Sequence, residues 1–297
     1  MHPYLRSIGF SKYNTPASVE RLLDTVMEHK SSTDSGDTAD STIVETSKEF
    51  APGIGIRIRG EIDENEEYHG MYFFPYIESE TVSTKQELYV HKRVDNYAYT
   101  GMCDDFRLGV SLIFYLQNMV DYVREVLRIN ENPDPNEEIG TYDVYLSGLS
   151  TSGKILLGIE QTEEAFAIKK KELFVKGALV KEAREGNTDA IEALALKDID
   201  RNTIVNERIK TEDLFSIVET SFYPYGTESD VYNILAYITD VSTVKNRYTG
   251  EKVCIMNLLC NGLELKIAIN RNDLMGEPKV GRRFRGTVWL QGRIDFA

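Results

Sequence analysis

The residues with the clearest chemical pattern lie near the end of the chain, in the segment RRFRGTVWLQGRIDF. If this segment is a strand, its side chains alternate between two faces, and one face collects Arg283, Arg285, Trp289, Gln291 and Arg293. A tryptophan among arginines can stack on a planar ring and neutralise an anion at the same time. We therefore predict that these five residues form a binding face for an anionic or aromatic ligand.

The same pattern is also typical of an anchor between two parts of a protein. Trp289 is the only tryptophan of the chain. In this alternative, the helical or N-terminal residues cover Trp289, and the neighbouring arginines pair with the carboxylates of that acidic region.

A second pattern resembles a phosphate-binding loop. Residues 148–155, GLSTSGKI, have the GxxxxGK spacing, but Ile155 stands where such a loop needs a Ser or Thr hydroxyl for magnesium. The residues after Lys154 predict a strand, whereas a phosphate-binding loop opens a helix. We therefore predict a hairpin over residues 143–159, turning near residues 151–153, and no nucleotide site.

Histidines and carboxylates in the first half of the chain form a third candidate. His69, His91, Asp104 and Asp105 could make an acid-base or metal cluster with Cys103 if strands bring them together. The chain has four histidines without HxH or HExxH spacing, and the two aspartates are also typical of a cap for the next segment. We predict no catalytic residue, no metal site and no cofactor, and we keep an enzyme with its site here as an alternative.

Composition narrows the class of protein. The chain has 297 residues, of which 41% are hydrophobic and 28% charged, as in ordinary globular proteins. No apolar run is long enough to span a membrane, and the first residues lack the apolar core of a secretory signal. Three cysteines without a CxxC pair indicate reduced, mostly buried thiols. We predict a cytoplasmic protein without a membrane partner.

Charge is distributed unevenly along the chain. The net charge of −14 repels nucleic acids and anionic membranes. Residues 245–293, however, contain ten lysines and arginines against four carboxylates, so an anionic partner would have to bind there. The partner we expect is another protein or an anionic ligand, whereas nucleic acid is disfavoured.

The elements that must position these residues can be predicted from hydrophobic spacing. Helical spacing after Thr15 and Pro16 predicts a helix over residues 18–29. Residues 31–48 are rich in Ser, Thr, Asp and Gly, which predicts a flexible acidic loop. A strand followed by a helix from about residue 117 to 127 is expected in residues 108–127. Alternating or aromatic-rich runs predict further strands at residues 54–60, 68–77 and 88–93.

The second half of the chain changes from helical to strand-like patterns. Residues 1–162 are predicted to be an N-terminal α+β domain with a mixed sheet, and residues 163–221 a helical bridge. Residues 222–297 predict three strands, a connector and one long strand, which outlines a small antiparallel β-domain of the OB-like barrel type. An SH3-like or open meander arrangement is the alternative. The predicted fold class is α+β.

Five segments distributed along the chain form a recognisable set: HPYLRSIGF, LGVSLIFYLQN, DAIEALALKDID, IVETSFYPYG and GEPKVGRRFRGTVWLQGRIDF. Together they resemble a family of uncharacterised proteins from anaerobic Gram-positive bacteria, known only as a domain of unknown function. The resemblance spans nearly the whole chain apart from residues 31–48. It implies a bacterial cytosolic protein, and it implies no activity and no functional residues.

These observations favour a non-catalytic binding or adaptor protein that uses its C-terminal β-domain. One alternative is an enzyme with a site near His69, His91, Asp104 and Asp105, and another is a single-stranded nucleic-acid binder that uses the barrel. The alternatives differ in where polar side chains from separate segments converge in one pocket.

Overall fold

Strands form about half of the protein and belong to two sheets. The structure is a computed structural model, and it describes residues 2–38, 41–92, 98–105, 107–131, 141–156, 163–195, 219–227 and 229–296. The helices are α1 (Pro16–Glu28), α2 (Met119–Glu131) and α3 (Glu163–Arg184), with a further helix at residues 188–195 and short 3-10 helices at Pro3–Ile8 and Arg271–Asp273. The strands are β1 (Ser32–Asp37), β2 (Thr42–Ala51), β3 (Ile54–Ile62), β4 (Tyr68–Ile77), β5 (Thr84–Glu87), β6 (Tyr89–Lys92), β7 (Tyr99–Asp105), β8 (Val110–Leu116), β9 (Thr141–Leu156), β10 (Ser221–Pro224), β11 (Val231–Lys245), β12 (Lys252–Cys260), β13 (Leu263–Asn270), β14 (Leu274–Met275) and β15 (Arg283–Asp295).

The smaller sheet contains β1, β2, β3 and β4, each antiparallel to the next. The predicted strands at residues 54–60 and 68–77 are confirmed as β3 and β4. The prediction of a loop over residues 31–48 is wrong, because β1 and the start of β2 pair with each other there. Nearly all side chains of β1 are exposed, so this edge strand lacks the apolar periodicity that reveals a strand in a sequence.

The larger sheet has eleven strands and contains both parallel and antiparallel pairs. Its main path runs β10, β11, β12, β13, β9, β15, β8, β7 and β6. Because β11 pairs with β15 as well as with β12, part of the sheet curls into a partial ring. β9 is one of the strands of this ring and lies between β13, to which it is parallel, and β15, to which it is antiparallel.

The predicted hairpin is wrong, because β9 is one continuous strand of 16 residues. The pairing with β15 shifts between Ser152 opposite Thr287 and Ser150 opposite Val288, so Thr151 is an extra residue in β9. Residues 157–159 of the expected hairpin lie outside the described residues. The polar, glycine-containing sequence is typical of a turn, but strands on both sides supply partners for an extended main chain.

Helices α1 and α2 form where the sequence predicts them. The side chains of Thr15 and Ser18 bond reciprocally to each other's main-chain N–H groups, a capping box that begins α1 at Pro16. α1 packs its apolar side against β2 and β3. The predicted strand and helix of residues 108–127 are confirmed as β8 and α2.

α3 confirms helical structure in the first part of the predicted bridge. Its residues Phe166 and Leu173 form a buried cluster with Tyr237 and Leu259 of the larger sheet. Residues 196–218 of the bridge lie outside the described part of the chain.

The fold is α+β, as predicted. The division into residues 1–162, 163–221 and 222–297 stays a prediction about independent units, but strand pairing crosses it. β9 from the first unit lies between β13 and β15 of the third. The strand pairs formed within residues 222–296 are antiparallel, as predicted, yet they belong to a mixed sheet that extends into the N-terminal half.

Candidate ligand-binding groove

The five residues predicted to share a binding face all lie on β15, but the structure separates them. Trp289 and Gln291 are buried near the middle of the strand. Arg283 and Arg285 lie at its beginning and Arg293 near its end, and all three are partly exposed. The face therefore has a covered part and an open part.

Trp289 lies in the covered part and is 5% exposed. Its ring centroid lies 5.1 Å from that of Tyr4, with an angle of 24° between the rings, and 5.1 Å from that of Tyr115. Its Nε1 donates a hydrogen bond to Oδ2 of Asp230 at 3.0 Å. A ligand could stack on Trp289 only by displacing these rings, so the position corrects the expectation of an open platform and matches the alternative of a buried anchor.

Gln291 is fully buried and joins the two sheets. Its Nε2 donates to the carbonyl of Pro75 in β4 at 2.8 Å, and its Oε1 accepts from Nε2 of Gln117 at 2.9 Å. Gln291 is therefore a link inside the protein and not part of an open face. The guanidinium of Arg293 lies 4.0 Å from the ring centroid of Tyr145, which is a cation–π contact.

The open part of the face is a groove with a volume of about 600 Å³. Its floor consists of β9, β10, β11 and β15, and β14 contributes Met275. Of the five predicted residues, Arg285 is the one that lines this groove. Arg283 lies two residues before Arg285 on β15. It donates a hydrogen bond to the carbonyl of Glu219 at 3.4 Å.

Strand register arranges the side chains of the groove floor in two rows. The members of each row are successive neighbours across β9, β15, β11 and β10. The first row consists of Ser152, Thr287, Asn233 and Tyr223. The second row, two residues further along each strand, consists of Lys154, Arg285, Leu235 and Ser221.

The first row is polar and only partly satisfied within the protein. Oγ1 of Thr287 donates to Oδ1 of Asn233 at 2.9 Å. The side-chain amide nitrogen of Asn233 and the side-chain hydroxyls of Ser152 and Tyr223 make no hydrogen bond within the described part of the chain. These groups can therefore bond to whatever occupies the groove.

The second row carries the positive charge of the groove. Lys154 and Arg285 stand directly opposite each other on β9 and β15. Residues opposed in this way have Cβ atoms about 5 Å apart, and like charges so placed repel. Both cations take part in other interactions of the chain, but no carboxylate is among the described residues that line the groove. Because an ammonium has three donors and a guanidinium five, an anionic group between the two side chains can accept from both beside those interactions.

The segment that resembles a phosphate-binding loop lies wholly in β9, so it does not form a loop before a helix. Its glycines let side chains of β15 pack closely against β9. A Cβ added to Gly148 would lie 2.3 Å from Cγ1 of Val288, and one added to Gly153 would lie 2.3 Å from Cε2 of Phe284. Lys154 nevertheless brings its charge into the groove. The absence of nucleotide binding stays a prediction.

The residues of the alternative catalytic cluster lie on separate strands. His69 is on β4 of the smaller sheet and His91 on β6 of the larger sheet. The pairing partner of His91 on β7 lies four residues before Asp104, which is about 13 Å along a strand at about 3.3 Å per residue. Asp105 is buried and forms an ion pair with Arg107 at 2.5 Å. The strands do not bring these four residues together.

The turn between β3 and β4 brings three other ligand atoms together. One carboxylate oxygen each from Asp63 and Glu67 and a ring nitrogen of His69 lie within 4.8 Å of one another. A hydrogen bond from the main chain of Glu67, followed by one from His69, lowers the pKa of Asp63 to about 2. These atoms have the chemistry to hold a divalent cation, but the turn is exposed, and exposed groups of this kind are common without one.

The three cysteines are buried and free, which confirms the expected thiols. Burial raises the pKa of Cys103 and Cys260 to about 12 and that of Cys254 to about 11. Such thiols stay protonated near neutral pH and are poor nucleophiles.

Comparisons with known proteins give a family and no activity. No helix in the described part of the chain is long and apolar enough to cross a membrane. No curated protein and no solved structure matches the chain. One family model, described as a domain of unknown function from an E. rectale gene description, matches residues 5–292 and confirms the family resemblance. Because this match covers nearly the whole chain, the protein belongs to that family, DUF3881.

Proposed function

We propose that the protein is a non-catalytic binding protein that holds an anionic ligand in the groove on its C-terminal strands. The observation that carries the proposal is the pair Lys154 and Arg285, two cations directly opposite each other in a groove of about 600 Å³. This volume lies within the range of about 300 to 1,000 Å³ that is typical of small-ligand sites.

Binding is favoured over catalysis by the residue types in the groove. The described lining residues include no histidine, cysteine, aspartate or glutamate. The described lining therefore lacks histidine, the commonest general acid and base, and it lacks carboxylates; Lys154 and Tyr223 are its titratable side chains. The separation of His91 from Asp104 on the strands gives no support to the alternative enzyme site.

The finer predictions, an OB-like barrel over residues 222–297 and a cytoplasmic location, belong to the same proposal. The ring is supported by five strands, β11, β12, β13, β9 and β15, each paired with the next, and by the pairing of β15 with β11. In this arrangement β9 precedes the other four strands in the chain. A cytoplasmic location is supported by three buried, free thiols, which suit a reducing compartment.

The proposal is tested by replacing both cations with neutral residues of similar size. Calorimetric titration of inorganic phosphate and of citrate into the full chain should give saturable binding at low ionic strength. Lys154→Gln with Arg285→Gln should weaken that binding at least about tenfold, because charge-assisted hydrogen bonds to the anion are lost.

The matched control is Arg293→Gln, which removes an arginine from the same strand outside the groove. This variant should bind both anions like the wild type. Equal binding by the Lys154 and Arg285 double variant would contradict the proposal. Oligothymidylate should bind weakly or not at all at physiological salt, because the chain carries a net charge of −14; tight binding would favour the nucleic-acid alternative.

A further inference from the structure

The groove combines charge with an ordered row of hydroxyl and amide groups, and this combination narrows the ligand class. We infer that the groove takes an anionic sugar, meaning a hydroxyl-bearing ring with a carboxylate or a phosphate. The inference rests on the proposed function and deepens it.

The anionic group is assigned to the second row. Lys154 and Arg285 are cross-strand neighbours, so one carboxylate or phosphate can contact both side chains. A simple anion would need only this row. The first row lies two residues away along the strands, about 7 Å at the spacing of an antiparallel sheet. The anionic group itself is too small to span this distance, but a substituent on the far side of a ring that carries the group can reach the first row.

The hydroxyls of the ring are assigned to the first row. The hydroxyl of Thr287 donates its hydrogen bond to Oδ1 of Asn233. The side-chain amide nitrogen of Asn233 can therefore donate to a hydroxyl of the ligand. Ser152 contributes a hydroxyl that can donate and accept, and it is exposed in the groove. A row of alternating donors and acceptors matches neighbouring hydroxyl groups on a sugar ring, each of which also donates and accepts.

Two exposed apolar groups complete the match. Tyr223 is 48% exposed at the β10 side of the groove, and Met275 is 74% exposed at the β14 side. One face of a sugar ring consists of C–H groups, which can pack on the ring of Tyr223 while the hydroxyls bond to the first row. OB-type folds include oligosaccharide binders, so the fold proposed above is compatible with such a ligand.

The experiment compares ligands that differ in one feature at a time, by calorimetric titration into the full chain. Glucuronate and glucose 6-phosphate carry both the ring and the charge, whereas glucose, acetate and inorganic phosphate each carry one. We expect at least one of the charged sugars to bind about tenfold or more tightly than each single-feature ligand, since even one added net hydrogen bond gives close to that factor. Preference for glucuronate or for glucose 6-phosphate then distinguishes a carboxylate ligand from a phosphate ligand.

Variants of the first row separate this inference from the proposed function. Ser152→Ala and Tyr223→Ala change exposed side chains and should weaken binding of the charged sugar severalfold, while the affinity for inorganic phosphate stays unchanged. If phosphate and acetate bind as tightly as the charged sugars, the sugar inference is wrong and the anion site stands. If none of these anions binds, both fail. Tighter binding of phenyl phosphate, which has a ring and a phosphate but no ring hydroxyl groups, than of either charged sugar would also overturn the inference.

Discussion

At the scale of single residues, burial decides what the residues of β15 can do. Trp289 and Arg285 lie on the same face of one strand, yet Trp289 is 5% exposed and Arg285 lines an open groove. The rings of His2, Tyr4 and Tyr115 surround the indole, with centroids 4.8 to 5.1 Å away. Trp289 thus holds the N-terminal residues onto the larger sheet.

Replacement of the indole measures this role. Trp289→Ala should lower the free energy of unfolding by about 3 to 5 kcal/mol, because it removes a large buried side chain and leaves a cavity. Denaturant unfolding followed by circular dichroism gives the value. Tyr223→Ala is the matched control, since Tyr223 is an exposed aromatic residue on the same sheet and should change stability by less than about 0.5 kcal/mol.

Fluorescence gives an independent reading of the same residue in the unmodified protein. The emission of Trp289 should be blue-shifted and protected from iodide. Red-shifted, readily quenched emission would be incompatible with the buried position.

At the scale of elements, β9 is held by contacts that only glycine permits. Gly153 and Gly286 are cross-strand partners on β9 and β15. The ring of Phe284 lies beneath both, since an added Cβ would lie 2.3 Å from it at Gly153 and 2.5 Å from it at Gly286. Glycine in a strand interior is normally unfavourable, and here it makes room for an aromatic ring.

A double-mutant cycle tests this packing. Gly153→Ala should destabilise the protein by about 1 to 3 kcal/mol, because Phe284 must leave its position. The same change in a Phe284→Leu background should cost clearly less, since the shorter side chain does not reach the new methyl group. Thermal unfolding with a fitted enthalpy provides the four values.

The control for this cycle is Gly70→Ala, where the nearest atom to an added Cβ is 3.9 Å away in Tyr68. That change should cost little in either background. Equal costs of Gly153→Ala with and without Phe284 would show that the two residues are not coupled.

Elements with strong local signals were predictable, and their neighbours were not. Alternation in residues 54–60 indicates β3, and the Asn261–Gly262 turn joins β12 to β13 as its sequence suggests. The sequence does not indicate β1, because its exposed polar residues resemble a loop although it pairs with the next strand, β2. It does not indicate the continuous β9 either, because its partners β13 and β15 lie more than 100 residues further along the chain and its polar middle resembles a turn.

The candidate site was predictable only in part, for the same reason. The sequence singles out Arg285 and, through a false phosphate-loop pattern, Lys154. Their side-by-side placement depends on the register of β9 against β15, and no local pattern encodes that register. The row of Ser152, Thr287 and Asn233 has no sequence signal at all, because its members come from three separate strands.

At the scale of the whole molecule, the boundary predicted at residue 222 can be tested by complementation. The fragment of residues 222–297 lacks β9, so β13 and β15 each lose a pairing partner. A peptide of residues 141–156 should bind the fragment and raise its melting temperature, because it restores main-chain bonds on both sides and buries its apolar side chains. Circular dichroism melts with increasing peptide measure the effect.

The matched control peptide carries Gly148→Val, which places a bulky side chain where even a single Cβ would lie 2.3 Å from Val288. It should bind much more weakly. A fragment that melts cooperatively at the same temperature with or without either peptide would establish residues 222–297 as an independent unit.

The pairing of β9 with β15 also sets a waiting time during synthesis. Ile155 pairs with Phe284, so about 130 further residues must be added before this part of β9 finds its partner. At bacterial and eukaryotic elongation rates the delay is on the order of ten seconds. For that interval the edges of β8 and β9 that β15 later occupies stay open on the ribosome. During this period the exposed strand edges of the nascent chain can pair with other chains. Chaperones that cover such edges would act at this stage.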